Sequence, residues 1–279
     1  MKYIEKLQKS VKQTESLLCI GLDPDVHKIR DCFPTSNMSD SELVLRFCHE
    51  VIELTHTHAC AFKPNLAFFE ALGSKGLEVF KKVIDHIPSG KIIIADAKRG
   101  DIGNTASHYA KAYFEEFYVD ALTINPLMGL DTIEPYCNYS GKALYVLTLT
   151  SNPGAKNYLR QCLGAGSFSE QIASDLHEMQ KSSIAHLGMV VGATYDHELL
   201  NTVISHAPNQ SLLIPGVGAQ GGSVDELKES LKNHKGIPII NSSRGIIYAG
   251  KGMDWANSVR KAAETTKIAI QDITDRYLD

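Results

Sequence analysis

Residues 91–101 read KIIIADAKRGD, an apolar run that passes directly into charged residues. The run is short, continuous and bounded by polar residues, which is typical of a strand buried on both faces of a parallel sheet. The residues that follow take on the spacing of a helix. The stretch therefore predicts one strand-to-helix unit whose strand carries ionisable groups at its carboxyl end.

The same unit of apolar run, polar loop and helical stretch recurs along the whole chain. The eight predicted strands span residues 16–22, 59–63, 91–97, 120–124, 143–149, 187–192, 211–215 and 237–241. Helical spacing predicts helices at residues 39–56, 66–85, 102–117, 130–136, 167–181, 196–206 and 224–231, with a last helix from 253 towards 277. An amphipathic stretch at residues 1–15 predicts one more helix before the first strand.

Eight buried strands that alternate with helices favour a closed barrel over an open doubly wound sheet. No linker rich in proline, glycine or serine interrupts the repetition. We therefore expect the α/β class and a (β/α)8 TIM barrel, built by residues 1–279 as a single domain with an additional N-terminal helix. In such barrels the chemistry lies at the carboxyl ends of the strands, and phosphate tends to bind after strands seven and eight.

Composition excludes several classes of partner. The net charge of −4 offers no basic field to a nucleic acid. The apolar runs fall far short of the roughly 20 residues that a membrane span needs. The six cysteines form no CxxC pair and the eleven histidines no HExxH motif, so we expect reduced thiols, a cytoplasmic protein and no metal site.

Charged side chains follow the first three predicted strands. Asp96 and Lys98 share one face of the third strand, because strand side chains alternate, and Asp101 follows where the chain turns towards a helix. The second strand contributes Lys63 and the first contributes Asp23. Each residue alone could be a solvated strand end or a turn residue. An inward Asp-x-Lys is costly unless paired, so the set together predicts a catalytic cluster.

The ends of the last two strands carry the features of a phosphate site. Gly216, Gly218 and Gly221 follow the seventh strand and Arg244 follows the eighth. Glycines let backbone N–H groups approach an anion closely, and a guanidinium can bind phosphate oxygens in a bidentate manner. The three glycines also match GxGxxG, but a dinucleotide site needs an acid at the end of the next strand, where Asn241 stands. We therefore expect phosphate binding without a nicotinamide or flavin.

Residues 96–105, DAKRGDIGNT, resemble the signature of the orotidine 5′-monophosphate decarboxylases. Further segments resemble the family's elements in the family's order, at residues 62–65, 149–154, 215–222 and around Arg244. The resemblance extends from residue 21 to residue 245, and the form of residues 62–65 and the chain length resemble the second, longer bacterial subfamily. It implies conversion of orotidine 5′-monophosphate to uridine 5′-monophosphate, the last step of de novo pyrimidine nucleotide synthesis, without a cofactor.

The resemblance also implies the catalytic roles. Lys98 would deliver a proton to C6, and Asp96 would face the substrate carboxylate. Lys63 would link the charged network and reach the ribose. Asp101 and Thr105 would enter the neighbouring subunit's site, which makes a homodimer with shared active sites.

The remaining roles implied by the resemblance concern substrate binding. Asp23 would hold a ribose hydroxyl and Ser151 would bind the pyrimidine. Gln220 would bridge the pyrimidine and the phosphate, and Arg244 would bind the phosphate.

Two other functions remain open from the residues alone. Related barrels that act on sugar phosphates, such as ketogulonate-phosphate decarboxylase and hexulose-phosphate synthase, share the Asp-x-Lys-x-x-Asp core and would need a divalent metal. A nucleotide-binding barrel without catalysis is the second alternative. A Schiff-base aldolase is disfavoured, because it needs a neutral lysine whereas Lys98 is flanked by Asp96 and Asp101.

Overall fold

The computed structural model describes residues 1–34, 37–193, 197–216 and 223–278. Eight parallel strands close into a barrel in which each strand pairs with its neighbours in sequence and the last pairs with the first. The strands are β1 Leu18–Leu22, β2 Ala61–Pro64, β3 Ile92–Arg99, β4 Ala121–Ile124, β5 Ala143–Leu149, β6 His186–Val191, β7 Leu212–Pro215 and β8 Pro238–Ser242. The predicted barrel is confirmed, and each strand ends within two residues of its predicted bounds.

Helices cover the outside of the barrel. They are α1 Tyr3–Thr14, α2 Val26–Cys32, α3 Asp40–Thr55, α4 Leu66–Glu70, α5 Gly76–His86, α6 Gly103–Lys111, α7 Phe168–Gln180, α8 His197–Ser205, α9 Val224–Ser230, α10 Arg244–Ile247, α11 Trp255–Ala269 and α12 Gln271–Thr274. A two-stranded antiparallel ribbon, Cys162–Leu163 with Gly166–Ser167, precedes α7. In the described part of the chain, no helix is long and apolar enough to cross a membrane.

Three predicted helices are wrong in detail. The last, predicted from 253 towards 277, is interrupted at Ile270 and divided into α11 and α12. The helix predicted at residues 66–85 is split into α4 and α5, because Gly73 turns the chain at a positive φ of 70°. The helix predicted at residues 130–136 is two short 3-10 turns, Leu130–Thr132 and Glu134–Tyr136. Pro135 stands in the first turn of the second, where its missing N–H is tolerated, and it could not continue an α-helix from the first.

The additional N-terminal helix packs against the amino-terminal end of the barrel. Tyr3, Leu7 and Val11 of α1 are buried, and the Ser10 hydroxyl donates a hydrogen bond to the Cys60 carbonyl at 2.7 Å. The Lys6 ammonium pairs with Asp120 at 3.1 Å. The predicted extra helix is therefore confirmed, and it packs against the floor of the barrel.

A buried polar network joins α1 to β5, to β6 and to Ser211, which directly precedes β7, at this floor. The Tyr3 and Tyr145 hydroxyl oxygens lie 3.0 Å apart, and the Ser211 hydroxyl donates to Tyr145 at 3.0 Å. The Ser211 hydroxyl also lies 2.8 Å from His186 Nε2, and the Tyr3 ring stacks on the imidazole of His186. Burial lowers the pKa of His186 to about 4, so this imidazole is neutral in the folded protein near neutral pH.

The depressed pKa of His186 predicts a pH-dependent stability. The unfolded chain takes up a proton near the ordinary pKa of 6.5, whereas the folded chain resists protonation down to about pH 4. The stabilisation is therefore complete above about pH 6.5 and declines as the pH falls, by about 3 kcal/mol in all. Urea unfolding of the wild type and of His186→Asn between pH 7 and pH 4 measures the effect. The slope should be smaller in the variant, and equal slopes would contradict the assignment to His186.

Candidate active site

The charged centre lies at the carboxyl ends of β2 and β3. The Lys63 ammonium is 2.6 Å from one carboxylate oxygen of Asp96, and the Lys98 ammonium is 2.5 Å from the other. Lys63 and Asp96 are buried, with 5% and 8% of their surfaces exposed, whereas half of the Lys98 side chain is exposed. One buried carboxylate is therefore bound by two ammonium groups at the mouth of the barrel.

Electrostatics keep both buried members of this centre charged. Burial would raise the pKa of Asp96, but the ammonium groups of Lys63 and Lys98 outweigh burial and hold that pKa well below its usual range. Burial would likewise lower the pKa of Lys63, but the carboxylates of Asp96 and Asp23 outweigh it and raise that pKa. Each charge is thus stabilised by the others, as a buried ion pair requires.

Lys98 reaches Asp96 by an unusual backbone conformation. Its φ is 46°, one of three positive values among the described non-glycine residues. The register between β3 and β4 also shifts between Ala95 and Arg99, which marks a β-bulge. Positive φ is costly for a residue with a side chain and persists only where the surrounding contacts hold it. The bulge thus turns the Lys98 side chain back onto the carboxylate two residues earlier.

A cavity of about 190 Å³ extends from this centre across the barrel mouth. Its walls come from the ends of β1, β2, β3, β7 and β8 and are formed by Asp23, Lys63, Asn65, Asp96, Pro215, Gly216, Asn241, Ser242, Ser243, Arg244 and Gly245. The structure therefore brings together five of the predicted site residues, namely Asp23, Lys63, Asp96, Gly216 and Arg244.

The cavity presents buried acceptors that the described residues do not satisfy. Asp23 Oδ1 and Asn241 Oδ1 are buried and have no hydrogen-bond partner there. The amide group of Asn241 donates to the Ser243 hydroxyl at 3.3 Å, while its oxygen accepts no hydrogen bond from the described residues. Buried acceptors are normally paired, so the cavity suits a ligand that carries hydroxyl groups. Asn241 was not predicted as a site residue, although its place at the end of a barrel strand is a signal that could have found it.

Tyr248 ties two walls of the cavity together. Its hydroxyl donates to the Asp23 carbonyl at 2.5 Å and accepts from the Asp25 amide at 2.7 Å. Its ring stacks on Phe47 of α3, with centroids 5.7 Å apart. The loop that carries Asp23 is therefore held against the segment that carries Arg244. No sequence signal marks Tyr248, because its role depends on a contact across more than 200 residues.

Four predicted site residues that the structure describes do not line this cavity: Lys98, which contacts its wall through Asp96, and Asp101, Thr105 and Ser151. The Asp101 carboxylate accepts a hydrogen bond from the Ile102 amide at 2.8 Å, and Thr105 is exposed on α6. Ser151 follows β5 and packs against the backbone of Gly192, where an added Cβ would come within 2.8 Å of the Ser151 Cβ. Within the described ranges Lys98 has an ion pair with Asp96 and none with Asp101.

The other predicted residues of the phosphate end cannot be placed. Gln220, Gly218 and Gly221 lie outside the described residues. Arg244 is described: it begins α10, is exposed, and has no ion pair with the described residues. The described ranges also contain no group of three or more His, Cys, Asp or Glu side chains that could hold a metal ion.

A family model described as the orotidine 5′-phosphate decarboxylase / HUMPS family matches residues 16–259. The chain belongs to this family. A relative from Dehalococcoides mccartyi strain CBDB1, described as orotidine 5′-phosphate decarboxylase, is 39% identical over 99% of this chain and 100% of its own. A relative of the same description from Leptospira interrogans is 41% identical over 96% of this chain and 94% of its own.

Solved structures of family members share the fold. The Leishmania donovani OMP decarboxylase is 32% identical, with a TM-score of 0.82 over 99% of each chain. A Toxoplasma gondii structure described as a putative orotidine-monophosphate decarboxylase is 30% identical, with a TM-score of 0.86 over 99% of this chain and 97% of that one. The predicted family and barrel are therefore confirmed.

The buried ion pair predicts strong energetic coupling between Lys63 and Asp96. Lys63→Met leaves a buried carboxylate with one cation instead of two, so we expect it to lower the free energy of unfolding by about 3 kcal/mol. Lys63→Met/Asp96→Asn also removes the carboxylate's charge, so its loss should be smaller than the sum of the two single losses. Chemical denaturation of the four proteins measures this cycle.

The exposed pair of Lys81 and Asp85 is the matched control, since its atoms are 2.5 Å apart but solvated. We expect the cycle of Lys81→Met and Asp85→Asn to give a coupling below about 1 kcal/mol. Additive losses at Lys63 and Asp96 would contradict the electrostatic account of the centre.

Proposed function

We propose that this chain decarboxylates orotidine 5′-monophosphate to uridine 5′-monophosphate, the last step of de novo pyrimidine nucleotide synthesis. The observation that carries the proposal is the Lys63–Asp96–Lys98 centre at the mouth of the barrel. Its support from the comparisons is a family match over most of the chain and relatives of that description near 40% identity. The enzyme is a carboxy-lyase.

The reaction uses Lys98 as the proton donor. When the bond between C6 and the carboxylate breaks, CO₂ leaves and the electron pair stays on C6. The Lys98 ammonium stabilises this developing carbanion and then gives it a proton, which forms the C6–H bond of the product. Asp96 keeps the ammonium in place and faces the substrate carboxylate, whose negative charge it repels until CO₂ has left. We propose that no metal or cofactor takes part.

The cavity accommodates the rest of the nucleotide. Asp23, whose buried oxygen is unpaired in the described residues, accepts a ribose hydroxyl, and Lys63 reaches the same sugar. Arg244 binds the phosphate at the opposite rim. Gly216, together with Gly218 and Gly221, supplies backbone N–H groups to the phosphate. In the same proposal Ser151 binds the pyrimidine and Gln220 bridges the pyrimidine and the phosphate.

We propose further that two chains form a homodimer with shared active sites, in which Asp101 and Thr105 complete the partner's site. Large apolar side chains near Asp101 support this surface. Ile102, Leu127 and Met128, in the loops after β3 and β4, are each more than half exposed. The two loops are in close contact, since a Cβ at Gly100 would lie 2.7 Å from the Asn125 carbonyl. An exposed apolar patch of this kind favours association.

A cytoplasmic location is part of the same proposal. All six cysteines are free, four of them buried, which suits a reducing compartment. The substrate and product are small metabolites that such a compartment would supply and use.

A direct assay tests the reaction. The purified protein, treated with a chelator, is added to orotidine 5′-monophosphate while the ultraviolet absorbance is followed. We expect complete conversion to uridine 5′-monophosphate at the rate of untreated enzyme, because charge stabilisation comes from side chains. Folded protein without conversion would refute the function. Conversion that the chelator abolishes and a divalent metal restores would refute the cofactor-free mechanism.

Subunit complementation tests the shared site. Lys98→Ala and Asp101→Ala proteins should each be inactive, since each lacks one group of every site. After mixing and exchange, half of the dimers are hybrids with one intact site, so about one quarter of wild-type activity should return. Lys98→Ala mixed with Asp96→Ala is the matched control and should stay inactive, because both changes lie on the same side of the site. If exchange is shown with differently tagged chains and activity stays absent, Asp101 acts within its own chain.

A further inference from the structure

The hydroxyl of Thr123 lies at the junction of the charged centre and the neighbouring strand β4. Its oxygen accepts hydrogen bonds from the backbone amides of Ala97, at 3.0 Å, and Lys98, at 2.9 Å. The same hydroxyl donates to Asp96 Oδ1 at 3.1 Å. A hydroxyl offers one donor and two acceptor sites, so these contacts use its whole capacity. Thr123 is almost completely buried, with 1% of its surface exposed.

The hydroxyl stands where the regular pairing of β3 and β4 is interrupted. Ala95 pairs with Leu122 and the next pair is Arg99 with Ile124, so Thr123 alone faces residues 96–98. In a regular ladder the amides of a strand bond to carbonyls of the next strand. At this bulge two successive backbone amides of β3 donate hydrogen bonds to a side-chain oxygen of β4 instead. The backbone path of the bulge therefore depends on the chemistry of one side chain of β4.

The same hydroxyl fixes both the backbone of the proton donor Lys98 and the carboxylate of Asp96 that binds its ammonium. Lys98 has a φ of 46°, a conformation that residues with a Cβ avoid unless the surroundings enforce it. The bond from the Lys98 amide to Thr123 holds this conformation, and the bond from Thr123 to Asp96 orients the carboxylate that receives the Lys98 ammonium. Donor and carboxylate are thus aligned by a single group.

We infer that Thr123 is a positioning residue for decarboxylation, which acts through Lys98 and Asp96. Thr123 does not line the cavity as the described residues form it. The expected effect of Thr123 on the rate rests on the proposed function, because Thr123 positions Lys98, the proposed proton donor. Misplacement of a reacting group by about 1 Å can lower a rate on the order of 100-fold.

The test compares Thr123→Val, which replaces the hydroxyl by a methyl group of the same shape, with Thr123→Ser, which keeps it. We expect Thr123→Val to lower kcat about 100-fold while KM stays within about threefold, since the walls around Asp23 and Arg244 are unchanged. Thr123→Ser should keep kcat within about fivefold of the wild type. Thr123→Ala carries the same expectation as valine and serves if the valine protein does not fold.

Thr148→Val is the matched control. Thr148 is a fully buried threonine of strand β5, which neighbours β4, and its hydroxyl donates to the Val146 carbonyl at 3.0 Å rather than to a residue of the charged centre. Its removal should leave kcat unchanged. Wild-type kcat in folded Thr123→Val, a loss confined to KM, or equal losses in the serine and valine proteins would overturn the inference.

A measurement that needs no activity separates this inference from the proposed function. Hydrogen exchange of a peptide covering residues 96–99 reports the protection of the Ala97 and Lys98 amides, which donate to Thr123. They should exchange faster in Thr123→Val and Thr123→Ala than in the wild type and Thr123→Ser. Unchanged protection would overturn the positioning role, whatever the activity of the wild type. A wild type that is inactive towards orotidine 5′-monophosphate would refute only the proposed function.

Discussion

The carboxylate of Asp96 is bound by two ammonium groups at once, and the rest of the site is arranged around that contact. A buried carboxylate is tolerated only when it is paired and hydrogen-bonded. Lys63 from β2 and Lys98 from β3 supply the charges, and each uses a different oxygen. Because Lys63 is itself buried, neutralising either partner would leave the other buried with less compensating charge. The centre is therefore fixed in charge as well as in position.

Barrel closure provides the setting that this contact requires. The pairing of Phe62 with Ile93 brings the ends of β2 and β3 side by side, so that Lys63 and Asp96 meet. Beneath Asp96, the fully buried side chain of Ile94 lies on the same face of β3. At the other end, α1 and the network around Tyr145 pack against the floor. Groups held on a packed scaffold of this kind need little reorganisation when charge develops on a substrate.

The sequence predicts the strands well because each is a continuous apolar run buried on both faces, a pattern that depends on local composition. It also places Asp96 and Lys98 on one face of β3 by simple alternation. The way in which they meet could not be predicted, since it depends on a bulge and a positive φ at Lys98 that no residue type announces. The role of Tyr248 escaped prediction for a similar reason, since it depends on tertiary packing.

The two ends of the cavity differ in a way that suits separate tasks. At the β2–β3 end the charges are paired with each other before any ligand arrives. At the β1–β8 end Asp23 and Asn241 present unpaired acceptors, and Arg244 has no ion pair in the described part of the chain. The first end is preorganised for a change of charge and the second is left open for recognition, so binding energy gained at a distance can be used at the reacting centre. Tyr248, which is hydrogen-bonded to the loop that carries Asp23, holds the walls of the recognition end together. It thereby maintains the separation between the recognition end and the reacting centre.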